Sequence, residues 1–458
     1  MSLVLKFGGS SVADAARVRR VAAIAKGALS RSPLVVLSAM GKTTDALFAA
    51  AQAAERGETE TALNALREIV SRHRETCAEL WKGSEPPIDL QQFIAALSMQ
   101  IDMLLRGVAL LRELSPRSRD AIVAFGELLS SQIVAAFLHA EGVPTAWLDV
   151  RRIMRTDARF GEAEPQTGDI AALARTELIP LMGAGRIVVT QGYIGSTKDG
   201  ITTTLGRGGS DYSASLLGAA VRAEEVQIWT DVEGVLTADP GMVPEATPIL
   251  ELSFREAAEL AAFGARVLHP ATIQPAVDAD IPVTVRHTMR PSGKFSTITA
   301  KGGTGSPRPA TAIASRSPIQ VITIESTRML AQSGFLGRIF EVFGRLGVSV
   351  DVVATAEVSV SLTVEAGAPI EAIKKELGSF AHVSVASDRA LVALVGERLK
   401  HTPGLAARVF GAIASINVEM ISMGSNEINL SLVVERKDEA AAVRLLHQAL
   451  FGGNGGSK

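Results

Sequence analysis

The chain opens on a short apolar run at residues 3–6, and a helical pattern follows over residues 13–26. Runs of the same kind, short, apolar and rich in β-branched side chains, recur at 34–37, 122–124, 145–148, 187–190, 225–229 and 282–286. Each predicts a strand. Patterns of helical period lie between most of them, at 128–140, 212–220 and 256–260. This alternation predicts an α/β domain with a largely parallel sheet.

Residues 59–113 break the alternation. They are helical in pattern throughout, interrupted at 81–87, and predict a helical excursion from one end of the sheet. Polar, glycine-rich stretches at 290–293 and 301–307 mark a domain boundary near residue 300. An internal repeat follows. The first copy, 318–388, has strands at 320–326, 348–354, 358–365 and 383–387, with helices at 334–346 and 369–378. The second has strands at 391–396, 418–423 and 428–434, with helices at 404–415 and 438–450. The order βαββαβ predicts two ferredoxin-like modules. The second copy is one strand short, and residues 309–316 supply a spare one. The second module is therefore expected to consist of 309–316 plus 389–451, with the first inserted into it. Residues 452–458 read as a flexible tail.

Composition narrows the function. The chain has 458 residues, 47% of them apolar, enough for about three domains. Its 46 basic and 48 acidic residues nearly cancel, and aromatics are only 4%. Nothing here supports nucleic-acid binding. A single cysteine, Cys77, excludes an intrachain disulfide and suits a reducing, cytoplasmic setting. Seven scattered histidines give no metal-ligand spacing. Neither an export signal nor a membrane span is expected.

The chemistry gathers in a few loops. Lys6-Phe7-Gly8-Gly9-Ser10-Ser11 joins the first strand to the first helix. Glycines let backbone N–H groups approach an anion, and lysine adds a point charge, so the segment reads as a phosphate cradle; a surface turn is the alternative. Thr202 to Asp211 holds three threonines, Arg207, three glycines, Ser210 and a carboxylate ahead of a helix. Arg207 suits a substrate carboxylate, whereas Asp211 also suits a helix cap. Thr230 and Asp231 follow the strand at 225–229, at the sheet edge where open α/β folds bind ligands. Thr43 and Thr44 follow the strand at 34–37 as hydroxyl donors or caps. A P-loop is excluded, because Val36 stands where that motif needs glycine. Glu127, placed between the run at 122–124 and the next helix, either receives an ammonium or serves as a first-turn acid. Two anion sites, a carboxylate anchor and an amine acceptor imply phosphoryl transfer from a nucleotide to a small zwitterionic acid.

In these motifs the chain resembles the aspartate kinases of the amino-acid kinase superfamily. The matching segments are 6–12 (KFGGSSV), 36–45, 125–130, 155–160, 191–211, 229–240 and 263–270 (FGARVLHP), and the C-terminal repeats resemble the family's two ACT modules. The resemblance implies a three-layer αβα kinase domain over 1–300. It implies ATP- and Mg²⁺-dependent phosphorylation of the β-carboxylate of L-aspartate, the first step toward lysine, threonine and methionine. By position it places Lys6, Gly8, Gly9, Ser10 and Asp211 at the transferring phosphate. Thr44, Glu127, Arg207 and Ser210 fall at aspartate, and Thr230, Asp231, Leu236 and Arg266 at ATP. Relatives often carry tyrosine at 236, arginine at 241 and lysine at 266, where this chain has Leu236, Gly241 and Arg266. The resemblance further implies an amino-acid effector, lysine rather than threonine, at Met329, Ser333, Gly334, Phe335, Leu336, Val350, Asp351, Thr355 and Glu357, although Gln332 and Ala356 replace expected hydroxyl residues. It also implies a homodimer or homotetramer built through the ACT modules. Another amino-acid kinase, or a catalytically silent amino-acid sensor, remains as an alternative.

Overall fold

The structure is a computed structural model that describes residues 2–264, 270–303, 310–331, 333–424 and 426–452. Its first 300 residues run β1 (Leu3–Phe7), α1 (Ala15–Gly27), β2 (Pro33–Leu37), α2 (Thr43–Glu55), α3 (Thr59–Trp81), α4 (Ile88–Leu111), α5 (Pro116–Val123), α6 (Phe125–Ala140), β3 (Thr145–Trp147), α7 (Thr167–Leu173), α8 (Ile179–Met182), β4 (Ile187–Gln191), β5 (Ile194–Ser196), β6 (Thr202–Thr204), α9 (Gly209–Val221), β7 (Glu225–Thr230), β8 (Glu251–Ser253), α10 (Phe254–Ala262), α11 (Pro270–Asp278), β9 (Val283–His287) and β10 (Ser296–Thr299). Two compact units emerge: Met1–Val235 with Leu268–Gly302, and Leu236–Val267 with Gly303–Lys458. This division differs from a cut at residue 300, because residues 236–267 belong to the second unit.

In the first unit the strands lie in the order β3-β4-β2-β1-β7-β9-β10. Neighbours are parallel except β10, which runs antiparallel to β9. Every residue of β1, β2 and β4 is buried, which is why these strands read as largely apolar, with Lys6 in β1 and Thr190 and Gln191 in β4 as the polar exceptions. Phe7 pairs with Leu37 on one side and Trp229 on the other, so three central strands end level and their loops share one edge.

Residues 122–124 are not a strand. Ser115 caps the Ser118 N–H and Pro116 occupies the first turn, which starts α5. Ile122, Val123 and Ala124 are then buried as helix, leading directly into α6. Local capping overrode β-propensity here. Two stretches, Ile88–Leu111 and Pro116–Ala140, are long and apolar enough by composition to cross a membrane. The second is mostly buried as core. The first buries Leu90, Ile94, Leu97, Ile101 and Leu105 while carrying the Asp102–Arg106 ion pair outside, the pattern of an amphipathic helix.

The second unit continues with β11 (Ala312–Glu325), α12 (Phe335–Arg345), β12 (Val353–Thr355), β13 (Ser359–Glu365), α13 (Ile370–Leu377), β14 (His382–Val395), α14 (Leu405–Ala412), β15 (Met420–Met423), β16 (Asn429–Glu435) and α15 (Glu439–Phe451). Its sheet runs β12-β13-β11-β14-β16-β15. β11 and β14 pair antiparallel along their length, with register shifts between Arg316 and Val321. One half, Ala312 to Arg316, pairs with Leu391 to Val395; the other pairs Ile319 to Glu325 with His382 to Arg389. Two long strands thus serve both repeats. One core packs Ile322, Ile324 and Phe335, and another packs Ile313, Leu394 and Leu446 together with Ala238 and Val243. Ile313 is 2% exposed in that second core. Ile313→Ala is expected to cost roughly 2–5 kcal/mol in urea denaturation. A negligible loss would place this strand outside the core it joins.

Candidate active site

The loop after β1 is held by its neighbours. The Gly8 N–H donates to the Trp229 carbonyl at 3.3 Å, and the Gly41 N–H donates to the Gly9 carbonyl at 2.9 Å. A Cβ on Gly9 would lie 2.8 Å from the Ala39 oxygen and 2.9 Å from that of Gly41. Only glycine lets the loops after β1 and β2 meet this closely. Ser11 is buried and bonds Thr288 Oγ1 at 2.7 Å, a structural tie.

Lys6, the penultimate residue of β1, is 8% exposed. Its Nζ lies 2.6 Å from Asp211 Oδ1, in the first turn of α9. Asp211 does not cap that helix: Gly208 occupies the cap position in a left-handed conformation (φ 74°). Gly206 has the same sign of φ, so Arg207 stands exposed between two left-handed glycines.

Lys6, Gly8, Gly9, Thr44, Glu127, Arg207, Ser210 and Asp211 line one cavity of about 1040 Å³ in the first unit. Glu127 lies not behind a strand but in the first turn of α6. Its Oε1 accepts from the Ala39 N–H at 3.2 Å, and its buried Oε2 has no hydrogen-bond partner among the described residues. Burial pushes its carboxyl up from 4.5 to about 8, against the pull of the Ala39 N–H. Ser130 Oγ donates to the Ser38 carbonyl at 2.7 Å, and Ser38 Oγ to Ser210 Oγ at 2.9 Å, joining α6 to α9 across the β2 loop. Thr44 faces the cavity, whereas Thr43 Oγ1 donates to the Met40 carbonyl at 2.6 Å and accepts from Arg72 Nη2 at 2.7 Å. The helical excursion thereby braces the loop through Arg72 on α3.

Other expected residues lie elsewhere. Ser10 is exposed and outside the cavity wall. Thr230 ends β7, with Oγ1 3.1 Å from the exposed Asp231 Oδ1; neither lines the cavity, but Trp229 before them binds Gly8. Leu236 belongs to the second unit, bridged to Pro248. Arg266 and Gln332 lie outside the described residues. The wall also contains Ser38, Arg119, Asp120 and Tyr193, which the sequence reading did not single out. For Asp120 the available signal was a carboxylate set directly ahead of the apolar run 121–125.

In the second unit Phe335 is buried and Met329 and Val350 pack on the same core. Gly334 precedes α12 with φ 84°, and Leu336 is exposed. Ser333, Thr355 and Glu357 are exposed. Asp351 is exposed and forms an ion pair with Arg316. The strand expected at 348–354 shortens to β12, leaving Asp351 ahead of it.

A nearly buried lysine beside a glycine loop, on the sheet edge of a parallel α/β domain, is the setting of a phosphate-handling enzyme. Residues 1–287 match the amino acid kinase family, and residues 392–450 match an ACT domain. The lysine-sensitive aspartokinase 3 of Escherichia coli is 40% identical, covering 98% of this chain and 99% of the relative. Two crystal structures of E. coli aspartokinase III superpose closely. The complex with aspartate and ADP (R-state) has a TM-score of 0.82 and covers 98% of this chain and 100% of that one. The complex with lysine and aspartate (T-state) has a TM-score of 0.81, covering 98% and 99%; both are 40% identical. The chain belongs to the amino acid kinase family and, within it, to the aspartokinases.

The raised Glu127 carboxyl has a signed effect on stability. Below pH 4.5 both folded and unfolded states hold the proton; between 4.5 and about 8 only the folded state does. Its contribution is therefore full below 4.5 and lost as pH rises through about 8. Glu127→Gln should flatten the pH dependence of the ligand-free melting midpoint across this window. An unchanged slope would place the titrating group elsewhere.

Proposed function

We propose that the cavity around Lys6 transfers the γ-phosphoryl group of ATP to the β-carboxylate of L-aspartate, giving 4-phospho-L-aspartate and ADP. The observation that carries this reading is one wall holding three complementary groups: Lys6 paired to Asp211, an open Glu127 oxygen and the exposed guanidinium of Arg207. In this reading Glu127 receives the substrate ammonium, Arg207 anchors the α-carboxylate, and Thr44 and Ser210 complete the acceptor site. The Gly8–Gly9 backbone approaches the phosphates, with Thr230 and Asp231 toward the nucleotide. A Cβ at Gly8 would sit 3.6 Å from Lys6 Nζ, so this stretch of backbone runs directly beside the lysine.

The nucleophile is a carboxylate of ordinary pKa near ~3.9, already ionised at neutral pH. No general base is needed. The work is to bring two anions together and neutralise charge on the group in transit. Among the described residues no cluster of three or more acids, histidines or cysteines could hold a metal. The site fits Mg²⁺ carried on the nucleotide's own phosphates, where it would offset their charge.

We further propose that lysine inhibits the enzyme through the first ACT module, around Gly334 and the exposed residues Ser333, Leu336, Asp351, Thr355 and Glu357. The E. coli relative's complex with lysine, at 40% identity, supports lysine over threonine. β12, an outermost strand with Val353 and Thr355 exposed, suits module pairing between two copies as a homodimer. The role is the first step toward lysine, threonine and methionine, and the setting the cytoplasm, in keeping with one buried free cysteine.

A coupled assay with ATP, Mg²⁺ and either aspartate or glutamate tests the acceptor; equal turnover of glutamate would sink the aspartate reading. Lys6→Ala should lower kcat by at least ~100-fold with little change in aspartate KM. Arg207→Ala should instead raise aspartate KM by about 10- to 100-fold, the value of a charge-assisted hydrogen bond. Reversal of these two patterns would exchange the residues' roles. Lysine added to the same assay should inhibit at concentrations where threonine does not.

A further inference from the structure

One charged group on the cavity wall has no part in that reaction. Asp120, in the last turn of α5, is 1% exposed. Its Oδ2 accepts from the Gly161 N–H and the Thr204 N–H, each at 2.9 Å, and its Oδ1 accepts from Thr204 Oγ1 at 3.0 Å. Burial raises its carboxyl, and these three donors oppose the rise.

The donors come from two separate loops. Gly161 follows Arg159 and Phe160, which line the cavity. Thr204 ends β6 and leads through Leu205 and Gly206 to Arg207. The two loops touch: the Ala163 N–H donates to the Thr204 carbonyl at 2.9 Å, and a Cβ on Gly206 would come within 3.3 Å of the Gly161 oxygen. Both glycines hold left-handed φ, 93° and 74°. To the direct bond between the loops Asp120 adds three, accepting the inward-facing donors of both.

We infer that Asp120 is a positioning residue for the acceptor, fastening the loop at 159–161 to the strand that delivers Arg207 and so fixing where the substrate's carboxylate is held. The inference rests on Arg207 as the acceptor's anchor. Asp120 touches no reacting atom. Three donors converge on its two oxygens, which suits a group that can act as acceptor only; an amide of the same shape would turn an N–H toward one of them.

Steady-state kinetics on the full-length enzyme test this. Asp120→Asn should raise aspartate KM by on the order of 10- to 100-fold, the effect of misplacing a bound group, while ATP KM stays within about threefold. Thr204→Val, which deletes one of the three bonds, should raise aspartate KM less; Thr204→Ser, which keeps the hydroxyl, should leave it unchanged. In an Arg207→Ala background Asp120→Asn should add little, because it acts through Arg207; a merely structural role would add its full effect. Should Asp120→Asn not fold, Thr204→Val against Thr204→Ser decides. The inference is overturned if Arg207→Ala raises aspartate KM but Asp120→Asn and Thr204→Val do not, or if ATP and aspartate KM rise together. An unchanged aspartate KM in Arg207→Ala would instead overturn the acceptor reading, and this inference with it.

Discussion

A lysine buried to 8% exposure on a central strand is expensive unless a carboxylate faces it, and Asp211 does so at 2.6 Å. Much of the kinase unit's geometry serves that contact. α9 must start close to the end of β1, which the left-handed Gly208 permits. The β2 loop must pass over Gly9, which the missing side chain permits. Ser38 and Ser210 then join that loop to α9. On the proposed reading an incoming phosphate would meet an ammonium already fixed in place, leaving little reorganisation for the moment of transfer.

The regulatory unit solves a different problem. A repeat lacking a strand would expose a sheet edge, and β11 and β14 remove the difficulty by running through both repeats. The two modules become one continuous sheet with a core against each helix pair. Arg316 lies where β11 passes between the repeats, and it holds Asp351. A strain introduced at one module therefore has a covalent and hydrogen-bonded route to the other.

Most of this was legible in the sequence because it depends on local signals. Buried parallel strands read as largely apolar runs, and glycine-rich turns after strands marked two of the loops that line the cavity. The failures have physical causes. Ile122 and Val123 look like strand, but Ser115 and Pro116 upstream commit them to helix. Asp351 was legible as a charged residue ahead of a strand, but its ion-pair partner Arg316 was not, because it lies outside that motif. Asp120 is marked locally only by standing ahead of an apolar run, and its role is hidden because its donors, Gly161 and Thr204, come together only in the folded chain. Side chains that act through tertiary contacts are invisible to periodicity and spacing.

The passage of residues 236–267 into the second unit bears on how such an enzyme could be dissected. The polypeptide crosses between units after Val235, after Val267 and after Gly302, so regulation is not an appendage hung on the end of a kinase. A gene fragment stopping near residue 300 would keep Ala238 and Val243, now 4% and 0% exposed, and discard Ile313, Leu394 and Leu446 that share their core. It would also strand Glu259, whose carboxylate accepts from Asn426 and Asn429. Truncation near residue 300 would therefore leave an apolar face uncovered. Exchanging regulation between relatives calls for a two-piece graft that carries the inserted segment along with the repeats.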